Sequence, residues 1–448
     1  MPRSAGPGGR HFALRTSRNA EALATELLLV ALVVCGGRTL VVADTPSRCV
    51  PSFWGLLQAA HCGRIAGRVG RVWSLSTVQL SVRVRRRVVT LIVSNEEIEQ
   101  LLTMELCLDA LRAMYIEVGN GVALSGPRID LVAGTRTLQD QPAEYGLKAM
   151  GGVLPDREVA AVRIDSDIIT WPTRQGSVRR EKVPAADGRW VGIVLLFSTR
   201  TGEPLMICPD GYIQRTRVAA ASALGAGYLA RADAHVLALL GSGWQAEGQV
   251  EALCAVRPID EIRVYSPDRS HRESFAVRMA ARTGKRIIAV DAANAAVAGA
   301  DIIAAATNSL DPILRPEWMR PGVHLCSITV NEVHEEIVQE ADRVAFHTRD
   351  FAKELTFRPA EAGPTPQMRR GWWSDADAPF WSAVEDLGAL AAGRAQGRQG
   401  DHEITLFVNN IGMGLQFASV GALVYRLARE RAIGREIPTE WLTQTVHP

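Results

Sequence analysis

An apolar run that stops at a glycine and restarts as a helix constrains this chain more than any other feature. Leu237-Ala-Leu-Leu-Gly241-Ser242-Gly243-Trp244-Gln245-Ala246 reads as a buried strand, a tight turn and a helix start. In this G-x-G-x-x-A pattern the first glycine permits the turn and the second lets the backbone approach a pyrophosphate. Ala246 is small enough for close helix–strand packing, and the anion meets the helix N-terminus. The surroundings repeat the theme. Strands are predicted at His235–Leu240, Glu261–Tyr265, Arg286–Val290 and Asp301–Ala306, with helices from Gln245 and from Ser270 and a shorter one after Val290. That spacing implies a parallel, doubly wound sheet, so the expected fold class is α/β with a Rossmann-type dinucleotide-binding domain.

The second strand of such a domain ends near the adenosine ribose. Here that end carries Ser266, Pro267, Asp268 and Arg269. A hydroxyl beside an arginine suits a 2′-phosphate and favours NADP, and Asp268 keeps NAD as the alternative. Gly241 to Ala246, Ser266 and Arg269 are therefore the candidate cofactor contacts.

Composition bounds the rest. With 448 residues, 47% hydrophobic and 22% charged, the chain has material for two or three cored domains. The formal net charge of +2 hides an asymmetry: residues 1–87 hold thirteen arginines against only Glu21, Glu26 and Asp44, which leaves the body mildly acidic. An acidic body without basic, aromatic-laced stretches gives no footprint for nucleic acid. The seven cysteines are scattered, with no C-x-x-C and no His/Cys cluster at ligand spacing, so reduced thiols, a cytoplasmic location and no metal are expected. Lysine occurs only at 148, 182, 285 and 353. The apolar run at residues 27–37 is too short to span a bilayer, which takes about 20 residues. Acidic residues precede it, against a signal peptide, and no sustained amphipathic helix supports a transit segment. Residues 1–87 read as an unstructured or non-native extension.

A folded body begins at Val88. Val-Val-Thr-Leu-Ile-Val alternates like a strand, and Ser94-Asn-Glu-Glu97 matches a capping box opening a helix through about Val118. Extended, glycine-punctuated segments follow to about residue 206, among them Arg157 to Trp190, read as a hairpin or flap. Ala219 to Ala230 predicts a small-residue helix. The chain turns irregular after Phe351, around Trp372, Trp373 and Trp381, then closes with a helix over Met413 to Ala432.

From Val88 onward the residues resemble the ornithine cyclodeaminase/mu-crystallin family. The likeness is carried by Pro127-Arg128, Tyr145-Gly-Leu-Lys148, Thr201-Gly-Glu-Pro204, Arg217 before Ala-Ala-Ala-Ser-Ala-Leu, the glycine loop, Gly299-Ala-Asp301-Ile, Thr307, Pro321-Gly-Val-His324, and Gly397-Arg398 leading to Glu403-Ile-Thr-Leu-Phe407. The resemblance implies a homodimer joined through an α+β substrate-binding/dimerisation domain built from both chain ends, residues 88–218 and 350–448. Residues 219–349 form the nucleotide domain, with no membrane involvement. It further implies a substrate carboxylate gripped by Arg128 and Arg217, a substrate contact at Lys148 and a cofactor contact at Thr307. The side chains agree with these roles. A guanidinium fork grips a carboxylate bidentately, although Arg215 rivals Arg217, and a lysine in an apolar strand must be paired or lose proton affinity.

One departure bears on mechanism. The family's catalytic aspartate falls on Asn331, whose amide neither takes nor gives a proton; Glu332, His334, Glu335 and Glu336 are the neighbouring substitutes. The acidic residue that contacts the substrate amine in cyclodeaminases aligns only loosely, near Gln139. The leading expectation is an NAD(P)H-dependent imine reductase or amino acid dehydrogenase acting at the α-carbon of a small amino or imino acid. The alternatives are a redox-neutral cyclodeaminase that releases ammonia, and a nucleotide-gated binding protein with little turnover.

Overall fold

The computed structural model describes a short hairpin, Ala31–Cys35 against Arg38–Val42, and residues 88–446 apart from 175, 350–354, 361–365, 367–370 and 375–378. The chain divides into two compact units at Val88/Val89. Apart from that hairpin, the expectation for residues 1–87 lies outside the described residues. No helix among the described residues is long and apolar enough to cross a membrane.

Within the second unit the predicted alternation forms an eight-stranded sheet whose pairings are all parallel. Its order is Arg286–Ala289, Glu261–Tyr265, Val236–Leu240, Ile302–Ala305, His324–Ser327, Thr405–Val408, Arg343–Phe346 and Glu385–Asp386. Chain order reverses between Val236–Leu240 and Ile302–Ala305, the switch point where doubly wound sheets bind ligands. Two of these strands, Glu385–Asp386 and Thr405–Val408, come from beyond residue 349, so the C-terminal segment completes the nucleotide sheet as well as the other layer.

The second sheet runs Leu355–Phe357, Ile129–Arg136, Pro142–Leu154, Val159–Thr170, Val191–Ser198, Pro204–Pro209, Val89–Ile92 and Arg435–Pro438. Leu124–Ser125 and Glu181–Val183 pair off this path. Residues 157–190 are therefore not simply a hairpin or flap. Val159–Thr170 is a long interior strand with alternating burial, and only the stretch after Thr170 makes an excursion, returning through Glu181–Val183 to the same strand.

The polarity of this sheet is inverted. Asp130, Lys148, Arg163, Asp165 and Asp167 are buried, while Ile129, Leu131, Val191, Ile193, Leu355 and Phe357 are exposed. Because strand side chains alternate, the charged residues face the helices and much of the apolar set faces away.

The capping box forms as read, with Ser94 Oγ accepting from Glu97 N and Glu97 Oε2 from Ser94 N. The helix does not run through Val118. It ends at Leu101, Leu102 is extended, and Thr103 caps a second helix, Met104–Gly119, through Leu106 N. A side-chain oxygen that satisfies a first-turn N–H makes Thr103 a restart point. The small-residue helix begins earlier than read, at Gly211, and ends at Leu229. Its alanines and glycines let its neighbours approach it closely: a Cβ on Gly225 would strike the Phe407 ring of the parallel sheet, and Gly248 of the adjoining helix lies against Ala219.

The closing helix, Gly414–Arg431, seats on the inward face of the second sheet, where Gly414 touches Gly151 and Gly152 backbone with no room for a Cβ. Gly414→Ala should therefore force helix and strand apart and cost about 1–3 kcal/mol, as overpacked cores do, read as a lower midpoint in chemical denaturation.

Candidate functional site

The nucleotide half is built where the first parallel strand ends. Gly241 has φ 121° and faces the Ala306 carbonyl so closely that a side chain cannot be accommodated. Gly243 is extended, with open space where a Cβ would project, and precedes the helix Trp244–Val256, whose start has no side-chain cap. Uncapped first-turn N–H groups facing open space are what a pyrophosphate needs. Ala246 is fully buried, as close packing requires. Trp244 is half exposed, and the Gln245 amide oxygen is buried without a partner. The cradle fits a dinucleotide.

At the ribose end Ser242 and Ser266 share a hydrogen bond of 2.8 Å between hydroxyls. Asp268 spends a carboxylate oxygen on capping the next helix, accepting from His271 N and Ser270 Oγ. Arg269, next in the chain, is exposed and paired with Glu273 one turn on. The inward arginine is Arg272, which donates to the Ser266 carbonyl and Asp291. Sequence reasoning missed it, although three residues after Arg269 is one helical turn.

Thr307 follows the strand Ile302–Ala305, and its N–H donates to Glu332 Oε1 at 2.6 Å. Glu332 Oε2 accepts from Ile328 N at 3.0 Å. Burial raises this carboxyl to about 7 against the lowering by these hydrogen bonds. Glu332 therefore ties two strand ends together. Asn331 is half-buried beside it in a short 3₁₀ turn, and His334, Glu335 and Glu336 are exposed. No acid among the proposed substitutes occupies the lost aspartate's place with a free, buried carboxylate.

The residues expected at the substrate gather on the charged face of the second sheet. Asp130, Lys148 and Asp165 are direct cross-strand partners, and Gly192, next in that row, leaves the space taken by the Asp210 carboxylate. Lys148 Nζ donates to Asp167 Oδ2 at 2.8 Å and lies 3.8 Å from Asp165 Oδ2. Burial, then the positive charge of Arg180, pull its pKa down to about 8 despite Asp167. Burial pushes Asp167 up, but Lys148 and Lys182 outweigh it and hold the carboxyl below its usual range. Asp165 goes the other way, raised by burial although Arg163 and Lys182 face it. Arg163 also forks onto Asp210 at 2.6 and 2.8 Å.

The helix Gly211–Leu229 sends Arg215 and Arg217 to different partners. Two helical positions are about 200° apart, so the side chains leave on opposite sides. Arg215 pairs with Glu247 and Glu251 of the nucleotide helix, at 3.2 and 3.8 Å. Arg217 enters the substrate floor and donates to two amide oxygens, Gln214 Oε1 and Gln416 Oε1. Its guanidinium lies over the Phe417 ring, and among the described residues no carboxylate is within ion-pair distance. Burial, with Arg163 alongside, lowers its proton affinity. Arg128 stands close enough to act on the charges of both Arg217 and Lys148, with Nε and Nη2 held by Asp130. Arg128, Lys148 and Arg217 thus gather at one floor. The aspartates and Lys182 were not foreseen, yet Arg163-Ile-Asp165-Ser-Asp167 carries charge at every second position of an apolar strand, a signal of a charged face.

These features define a two-layer protein with a dinucleotide cradle at the switch point and a cationic floor on a second sheet. The chain belongs to the ornithine cyclodeaminase/mu-crystallin family, whose model matches residues 178–432. It is 30% identical over 251 residues to a Delta(1)-pyrroline-2-carboxylate reductase of Bacillus cereus, covering 55% of this chain and 74% of the relative. The NAD+ complex of the iminosuccinate reductase of Paracoccus denitrificans superposes with a TM-score of 0.61 at 26% identity, over 78% of this chain and 99% of the other. The Thermococcus litoralis Delta(1)-pyrroline-2-carboxylate reductase, solved with NADH and L-proline, shares the fold at 24% identity and a TM-score of 0.63, over 78% of this chain and all of the other.

Gly241→Ala should abolish the turn. A strained left-handed residue costs about 1–3 kcal/mol before the collision with Ala306 is counted, so NAD(P)H affinity in a fluorescence titration should fall at least about tenfold.

Proposed function

We propose that the protein is an NAD(P)H-dependent imine reductase or amino acid dehydrogenase acting at the α-carbon of a small amino or imino acid. The observation that carries this reading is Arg217: a buried guanidinium held only by neutral amide oxygens, on the same floor as a buried lysine of lowered proton affinity. A buried cation without a counter-charge is costly, and a substrate carboxylate supplies the charge. Relatives named as reductases of pyrroline-2-carboxylate and iminosuccinate support the same chemistry.

Gly241 to Ala246 and Ser266 hold the cofactor, with Thr307 fixed by Glu332 at the next strand end. The bound dinucleotide supplies a hydride at its nicotinamide carbon. The chain's own residues do the rest. Arg217 takes the carboxylate, with Arg128 assisting from the Asp130 pair, and this fixes the α-carbon. Lys148 gives its proton to the substrate nitrogen as the carbon is reduced, and regains one from solvent. In the oxidative direction the same amine receives the proton. Asn331 fits this single proton transfer better than the repeated transfers of a cyclodeaminase. The serine pair at the ribose end, with Asp268 engaged as a cap, favours NADP over NAD.

The exposed apolar set on the outward sheet face supports a homodimer joined through that face. The described cysteines 107, 208, 254 and 326 are free thiols, which supports a cytoplasmic setting.

Turnover tests the reading. With α-keto acid and amine panels, reduced cofactor should be consumed; ammonia release without net cofactor change would identify a cyclodeaminase, and tight nucleotide binding without turnover a binding protein. A donor must be protonated, so the reductive kcat should fall as pH rises through about 8, and the oxidative kcat should rise through the same range. Lys148→Met should remove the inflection and lower kcat by about 10²- to 10⁴-fold. Separately, Ile193→Lys combined with Leu131→Lys should convert the dimer to monomer in analytical ultracentrifugation.

A further inference from the structure

The excursion after Thr170 brings a second lysine to the carboxylates that hold Lys148. Lys182 lies on the strand Glu181–Val183, opposite Ile169, and residues two apart on a strand share a face. It therefore reaches along the strand to Asp167 and Asp165. Its Nζ lies 2.7 Å from Asp167 Oδ1 and 3.1 Å from Asp165 Oδ2, while Lys148 takes the other oxygen, Asp167 Oδ2, at 2.8 Å. The two ammonium groups thus take different oxygens of one carboxylate, with Arg180 Nη2 3.6 Å from the one that Lys148 holds. The excursion is anchored just before this contact: Arg179 bridges to Ser309, and Arg180 N–H donates to the Asn308 carbonyl, next to Thr307 in the nucleotide half.

We propose that Lys182 is a positioning residue for Lys148: by occupying the outer oxygen of Asp167 and bridging to Asp165, it fixes how much of that negative charge Lys148 receives. The inference rests on the reading of Lys148 as the proton-transfer group. The other charges facing Lys148 are Asp130 from one neighbouring strand with Arg128 just before it, Arg163, Asp165 and Asp167 from the other, and Arg180 from the excursion. Among these cations Lys182 shares both carboxylates with Lys148. It is also one-third exposed, so its removal opens no cavity. Without it, Asp167 is left to Lys148 and Arg180 and a like charge disappears, both of which favour the Lys148 ammonium.

The chain has only four lysines, so ¹³Cε-lysine labelling resolves each of them by NMR, and loss of one resonance in Lys148→Arg assigns it. In Lys182→Gln the Lys148 midpoint should rise by about half a pH unit or more, and the basic limb of the reductive kcat should move with it. Lys182→Met should shift both in the same direction, and Lys182→Arg should restore the wild-type midpoint. An unchanged or lowered midpoint in the folded Gln and Met variants overturns the inference, leaving Lys182 a strand-edge ion pair. Failure of the proton-transfer reading shows elsewhere, as retained turnover in Lys148→Met, whatever the resonance does.

Discussion

The architecture turns on a row of charges that face inward. Asp130, Lys148 and Asp165 stand side by side across three strands, with Asp167 and Arg163 on the same face. A buried charge is tolerated only when paired and hydrogen-bonded, so each of these residues constrains its neighbours. Gly192 must lack a side chain because the Asp210 carboxylate that holds Arg163 occupies the space. The closing helix must approach through Gly414, which brings Phe417 over both Arg163 and Arg217. The sheet gives its polar face to chemistry, and its outward face is left apolar.

The helix Gly211–Leu229 joins this floor to the nucleotide half. Its alanines and glycines allow close approach on several sides, and two arginines leave it in opposite directions. Arg215 locks onto Glu247 and Glu251 of the dinucleotide helix, and Arg217 enters the substrate floor. Glu332 performs a related task inside the nucleotide sheet, where its two oxygens fix the backbone after two adjacent strands.

The exchange of an acid for Asn331 narrows the chemistry without removing it. Glu332, the buried acid beside it, already accepts from two backbone N–H groups, and the remaining acids nearby face solvent. On the proposed reading proton traffic falls to Lys148, whose affinity is set by burial, by Arg180 and by a shared carboxylate. One group with one proton suits a reduction or its reverse.

The sequence alone determined the elements whose signals are local. Gly241 and Gly243 between a strand and a helix, the Ser94–Glu97 capping box and the strand–helix alternation from residue 235 depend on neighbours within a few positions. The likeness of scattered motifs likewise marked Arg128, Lys148 and Arg217. Tertiary structure decided what depends on distant partners. It made residues 159–170 an interior strand, since charge on the buried face makes sense only once the helices lie across it. It drew Thr405–Val408 into the nucleotide sheet, turned Arg269 outward and Arg272 inward, and set Lys182 beside Asp167. Side chains fifteen or more residues apart exchange charge through space, and the spacing along a chain carries no record of which of them will meet.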